Sequence, residues 1–224
     1  ERRSELALLF PGVAVLEQAV GAQRVIVATK PNHVVEALTA LRNLGVQRVL
    51  SIAAGINLAT LESAIGPQVA VIRAMPNTPA LVGEGAAAMS GGSAATESDM
   101  AWAEQILDAV GTVVRVPESQ LDAVTAVSGS GPAYVFLIAE AMIQAGILQG
   151  LDPATADALV RQTLLGSARL LIEQDWDPAE LRARVASPGG TTEAALRVLQ
   201  TGKLQETLID AIAAATERSR ELAG

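Results

Sequence analysis

The chain has no cysteine and a single histidine, His33, and aromatic residues make up only 2 % of it. Without cysteine there are no disulfides, no Cys-ligated zinc and no thiol catalysis. A reducing, cytoplasmic setting suits such a chain. One histidine without cysteine argues against a transition-metal site, so no metal is expected. Basic residues are also scarce: 16 Lys and Arg stand against 24 Asp and Glu, a net charge of −8. They are scattered rather than striped, which argues against nucleic acid as a partner. Long hydrophobic runs are missing. The most apolar, residues 134–138, is soon followed by Glu140, and it reads as too short and too interrupted to span a bilayer, so no membrane partner is expected. The opening Glu1-Arg2-Arg3-Ser4-Glu5 is charged, with no signal-peptide core behind it.

What is present is aliphatic. Half of the 224 residues are hydrophobic, enough for one large domain or two small ones. With so few aromatics, the core must be built from Ala, Leu, Val and Ile, which favours closely packed helices. The first half alternates strand and helix patterns. Residues 24–28, 49–53 and 69–75 are short apolar, β-branched runs, and weaker strand patterns follow at 86–89 and 113–116. Between them, Val34, Val35, Leu38, Leu41 and Leu44 recur at helical spacing, Asn57 can cap a helix running to Ile65, and residues 97–110 read as another helix. Alternation of this kind predicts a parallel-type sheet covered by helices on both faces.

After about Pro117 the strand patterns stop. Tyr134, Leu137, Ile138, Ala141, Met142 and Ala145 mark one amphipathic helix; Leu159, Val160, Leu164, Leu170 and Leu171 mark a second; Leu204, Leu208, Ala211, Ile212, Ala215 and Leu222 a third. Their apolar stripes are wide, so this half predicts packing against a partner chain. The domains are therefore expected at 1–118, a Rossmann-type domain, and 119–224, an all-α dimerisation domain. No G-x-G-x-x-G precedes the Arg24 strand, so the Rossmann-type domain is expected to lack its first strand-helix-strand unit, as in an N-terminally incomplete chain. Arg2 and Arg3 would then stand at the tip of a missing strand, where arginines meet a ribose 2′-phosphate.

Ligands of open α/β sheets gather at the carboxyl ends of the strands. Three segments should share that edge: Ala28-Thr29-Lys30-Pro31, Ala53-Ala54-Gly55 and Met75-Pro76-Asn77-Thr78-Pro79. Two further segments carry hydroxyls and glycines together. Ser187-Pro188-Gly189-Gly190-Thr191-Thr192 runs straight into a helical stretch, and such a loop aims free N–H groups and hydroxyls at one point, suiting a carboxylate or phosphate. Thr125-Ala126-Val127-Ser128-Gly129-Ser130-Gly131-Pro132 precedes a long helix. It reads either as helix punctuation, with the Thr125 hydroxyl on nearby backbone, or as part of a site.

Taken in order, these segments resemble pyrroline-5-carboxylate reductases. The stretch from Asp122 through Thr125 to Tyr134 is similar to that family's central motif, and Val185-Ala186-Ser187-Pro188-Gly189-Gly190-Thr191-Thr192 to its signature loop. The resemblance implies NADPH- or NADH-dependent reduction of L-1-pyrroline-5-carboxylate to L-proline, with NADPH the preferred cofactor. It implies that Ser187, Gly189, Gly190, Thr191 and Thr192 hold the substrate carboxylate, that Thr125 hydrogen-bonds the ring nitrogen, and that Lys30-Pro31, Ala54-Gly55 and Asn77-Thr78 line the nicotinamide and its ribose. It also implies an interlocked homodimer and larger rings of dimers. Two other readings stay open on the residues alone. One is another nicotinamide-dependent dehydrogenase acting on a hydroxy acid, disfavoured because Lys203 is the helical half's sole lysine and it has no histidine. The other is an inactive dimerisation or ligand-binding fragment.

Overall fold

The computed structural model describes residues 2–222, with Arg2 described by its backbone alone. The chain opens with a helix, α1 (Arg2–Leu9). Arg, Glu, Leu and Ala are good helix formers, and Pro11 closes the stretch. A stretch without regular structure then leads to β1 (Arg24–Val27), α2 (Pro31–Leu41), β2 (Arg48–Ser51), α3 (Leu58–Ile65) and β3 (Ala70–Met75). β4 (Gly85–Gly91), α4 (Glu97–Asp108) and β5 (Gly111–Arg115) complete the α/β part.

The five strands form one sheet in the order β1-β2-β3-β4-β5. β1, β2 and β3 are mutually parallel. β4 runs antiparallel to β3 and parallel to β5, so the sheet is mixed rather than all-parallel. The reversal is made by the short connection after β3, a 3-10 turn over Thr78–Val82 closed by Gly83 at φ 78°, which leaves no room for a crossover helix.

Helices cover both faces, as the pattern predicts. Successive strand residues point to opposite sides. Val49 and Val71 therefore join Val34, Leu38, Leu61 and Ile65 of α2 and α3, while Leu50 and Ile72 join Met89, Ala103 and Leu107 towards α4. Two helix starts in this α/β part are capped by side chains: Asn57 accepts from the Thr60 N–H at 2.8 Å, and Thr96 with Asp99 forms a capping box.

Past a 3-10 turn at Glu118–Gln120 come α5 (Leu121–Val124), a π-helical turn at Thr125–Gly129, and α6 (Gly131–Leu148). α7 (Pro153–Glu173), α8 (Pro178–Val185), α9 (Thr191–Thr201) and α10 (Leu204–Leu222) follow. The chain divides into two compact units, one reaching Gly129 and taking in the chain again from Glu217, the other Ser130–Thr216. The first unit takes in α5 and the π-turn because they pack on the sheet, with Leu121 and Ala126 fully buried. The helical stretch Glu118–Leu148, 31 residues, is by length and composition alone apolar enough to cross a membrane. It is longer than residues 134–138 suggested, because Glu140 interrupts the hydropathy without ending the helix.

Candidate active site

The parallel register of β1, β2 and β3 brings their carboxyl ends to one edge of the sheet. Residues 28–31, 53–55 and 76–78 leave from that edge. Ala28, Thr29, Lys30 and Pro31 are exposed there. Lys30 is the N-cap of α2, no side chain caps this helix, and Pro31 opens it, so α2 presents its first amides uncapped. Ala53 is buried, Ala54 exposed, and Gly55 turns at φ 73°. The end of α10 lies against this turn: a Cβ on Gly55 would stand 3.5 Å from the Leu222 carbonyl.

The π-turn carrying Thr125 sits at the same edge, at the end of β3. A Cβ on Gly129 would come within 2.6 Å of Met75 Cε, so glycine lets the turn lie directly on the strand end. The Thr125 hydroxyl donates to the Leu121 carbonyl at 2.8 Å, and the Ser128 hydroxyl to the Val124 carbonyl at 3.0 Å. Asn77 uses both ends of its amide: Oδ1 accepts from the Ala86 N–H at 2.8 Å, and Nδ2 donates to the Ser128 carbonyl at 3.0 Å. Thr78 is exposed beside it. Below the turn, one oxygen of Glu118 accepts from the buried Arg73 guanidinium at 2.9 Å and from the Leu58 N–H at 2.6 Å. Ser219 of α10 donates to Asp122 at 2.7 Å. None of these braces was apparent from sequence, because each joins residues far apart in the chain. A local trace of the turn does exist: glycines at 129 and 131 inside a helical region mark where the helix can widen.

Arg3 lies on α1 and pairs with Glu17 at 3.0 Å on the surface. The Arg2 side chain lies outside the described residues.

The Ser187–Thr192 segment belongs to the second unit. Gly189 turns at φ 73°, a conformation suited to glycine, and the Gly190 N–H closes the turn onto the Ser187 carbonyl at 3.0 Å. Gly190 is the N-cap of α9, and no side chain caps this helix, so its first amides are uncapped, with the Thr191 and Thr192 hydroxyls beside them. The Gly189 N–H donates to Glu193 at 2.5 Å, a local contact the sequence did not suggest. The helical unit also holds a cavity of about 690 Å³, lined by Leu196, Leu199, Leu208, Ile209 and Ile212 among others. No predicted site residue lines it. Among the described residues, no group of three or more His, Asp or Glu could hold a metal ion.

Comparison with known proteins identifies the arrangement. Residues 118–222 match the family model for pyrroline-5-carboxylate reductase dimerisation. Over 199 residues the chain is 45 % identical to the pyrroline-5-carboxylate reductase of Synechocystis, covering 88 % of this chain and 74 % of that protein. The chain belongs to the pyrroline-5-carboxylate reductase family. The pyrroline-5-carboxylate reductase structure from Coxiella burnetii superposes with a TM-score of 0.93 at 37 % identity, covering 99 % of this chain and 86 % of that one. The Plasmodium falciparum pyrroline carboxylate reductase, solved with NADP bound, superposes with a TM-score of 0.83 at 31 % identity, covering 91 % and 78 %. The fold is thus the family's Rossmann-like sheet followed by a helical dimerisation domain, and the hydroxy-acid dehydrogenase reading is not favoured.

Proposed function

We propose that this chain is a pyrroline-5-carboxylate reductase: it reduces the ring C=N bond of L-1-pyrroline-5-carboxylate to give L-proline, using a nicotinamide cofactor. The observation that carries the reading is the convergence, at one sheet edge, of three strand-end loops and the turn that bears Thr125. The residues at that edge fit a dinucleotide. The start of α2 carries no side-chain cap, leaving room beside the Asn32 N–H, and the small residues Ala54 and Gly55 allow close approach. Ala28, Thr29, Lys30, Pro31, Ala53, Ala54, Gly55 and Thr78 would hold it. Once bound, the reduced nicotinamide supplies the hydride for the imine carbon.

The chain's own residues orient and hold the substrate. Thr125 has committed its hydroxyl proton to the Leu121 carbonyl, so its oxygen is left as an acceptor. That suits a protonated ring nitrogen, an N–H donor, and gives the expected hydrogen bond between Thr125 and the ring nitrogen its sense. Stabilising the protonated imine makes its carbon a better hydride acceptor, and as the new C–H bond forms the C=N π pair becomes the nitrogen lone pair. Ser187, Gly189, Gly190, Thr191 and Thr192 form the site for the substrate carboxylate: the Thr191 and Thr192 amides and the hydroxyls face it at the start of α9, while Gly189 and Gly190 shape the turn and the Gly189 N–H exchanges Glu193 for the substrate. No strong acid is needed, because proximity and fixed hydrogen bonds suffice.

NADPH is preferred over NADH in this reading. Arg3 supports it, since an exposed pair such as Arg3–Glu17 holds its guanidinium only weakly, and Arg2 is its neighbour in sequence. The domains follow the sequence division, 1–118 for the cofactor and 119–224 for dimerisation. The working form is a homodimer, or a ring of dimers, in the cytoplasm. The test is pyrroline-5-carboxylate-dependent oxidation of NADPH and of NADH by the full chain, with proline measured as product. Proline formed in step with NADPH oxidation is expected. Turnover of hydroxy acids instead, or none with either imine or hydroxy acid, would refute the assignment.

A further inference from the structure

We infer that Asn77 is a positioning residue: its side-chain amide clamps the Thr125–Gly129 turn to the start of β4 and so fixes where the Thr125 hydroxyl stands. The inference rests on the reading of Thr125 given above, and it gives Asn77 a role distinct from the expected one of lining the cofactor.

The argument starts from a missing donor. In a regular helix the Ser128 carbonyl would accept from the N–H four residues on, but that residue is Pro132, which has none. The next N–H, of Ala133, donates to the Ser130 carbonyl at 3.0 Å. A carbonyl at a half-buried strand end is costly to leave unpaired. Asn77 Nδ2 supplies the missing donor at 3.0 Å, while Oδ1 takes the Ala86 N–H at 2.8 Å. One planar amide therefore spans from β4 to the turn. Gly129 lies on the Met75 side chain at the end of β3, and a Cβ there would meet the Met75 methyl at 2.6 Å and have to displace it. The turn is thus held from two sides, by a hydrogen bond at Ser128 and by packing at Gly129. Thr125 begins this same turn, so any slip at Ser128 moves its hydroxyl as well. Each end of the Asn77 amide makes one contact within the protein, and together these fix its plane and orientation.

The test compares Asn77→Asp, which keeps the acceptor and loses the donor, with Asn77→Ala, alone and combined with Thr125→Val. Steady-state kinetics and amide hydrogen exchange are measured on the full chain. Asn77→Asp is expected to lower kcat about tenfold or more, since small misplacements of a reacting geometry are costly. The KM for NADPH should stay within about twofold, a split that loss of a ligand contact would not give. Exchange at residues 126–130 should accelerate while β1 and β2 are unaffected. Adding Asn77→Asp to Thr125→Val should cost little further, because both act through one hydroxyl. A raised KM for NADPH with kcat intact would make Asn77 a cofactor contact and overturn the inference. An undiminished kcat loss in the Thr125→Val background would overturn it too. Unchanged kcat in Thr125→Val sinks the Thr125 reading instead, and the clamp then stands or falls on the exchange rates. Should Asn77→Ala not fold, Asn77→Asp decides alone.

Discussion

A hydroxyl can meet a ring nitrogen in two senses, and the hydrogen bond at Thr125 chooses between them. With its proton on the Leu121 carbonyl, Thr125 would, in the proposed role, stabilise a protonated imine and do nothing for a neutral one. Its loss should lower the pKa of the bound imine. The alkaline fall of kcat is therefore expected to begin at lower pH in Thr125→Val than in the parent, with the two rates closest at the acid end of the profile. A pH-independent ratio of the two rates would count against the acceptor role. The position of this residue was legible in sequence because hydroxyls and glycines cluster locally around it. A hydroxyl bonded to nearby backbone was one of two readings of Thr125; its particular acceptor depends on helical phase, which places the carbonyl of residue 121 above residue 125. Asn77 illustrates the same limit: the two atoms it joins, Ala86 N and the Ser128 carbonyl, lie 9 and 51 residues away along the chain.

At the scale of elements, α4 owes its start to a capping box that also anchors the sheet. Asp99 accepts from both the Thr96 amide and hydroxyl, at 2.9 and 2.6 Å, and pairs with Arg48 of β2 at 3.0 Å. Burial pushes its carboxyl up, but the two Thr96 hydrogen bonds and the Arg48 charge outweigh burial and hold it below its ordinary value of 3.8. A depressed folded-state pKa stabilises the fold fully above the unfolded value, and that stability is lost as pH falls through the folded value. Asp99→Ala is therefore expected to destabilise the protein by about 1–3 kcal/mol at neutral pH. The difference should stay constant down to about pH 5 and shrink below about pH 4, as urea titrations of both proteins across that range would show. A gap that persisted undiminished at pH 2–3 would mean that packing, not the charge, carries it. The strands and helices around this box were legible because their periodicities differ, 2 against 3.6. The reversal of β4 was not. Its run of alanines carries no directional pattern, and the turn that reverses it depends on Gly83 at positive φ.

For the whole molecule, the decisive quantity is apolar surface. Of residues 130–216 only Ala156 and Val160 are buried, although α6, α7, α9 and α10 are rich in Leu, Ile and Val. Phe136 of α6 is 64 % exposed, Leu137 66 % and Ile172 of α7 80 %. Helices of this composition cannot hold a stable fold with so little burial, because their stability comes from packing of the apolar face. This feature was visible in sequence as wide apolar stripes, and a match to a dimerisation model over residues 118–222 gives the stripes an occupant, a second copy of the chain. The membrane-like length of Glu118–Leu148 has the same explanation, since helices buried between subunits share the composition of helices buried in lipid. Folding and association should then be one process. The midpoint of thermal unfolding is expected to rise measurably between about 1 and about 100 μM protein, as mass action requires when only the folded chains associate. Phe136→Glu, which sets a charge within that surface, should lower the midpoint and remove much of its concentration dependence, while sedimentation shifts toward the monomer. A parent protein that sediments as a monomer with a concentration-independent midpoint would refute obligate association. Recovery only with detergent or lipid would mean that the long apolar helix meets a membrane rather than its own twin.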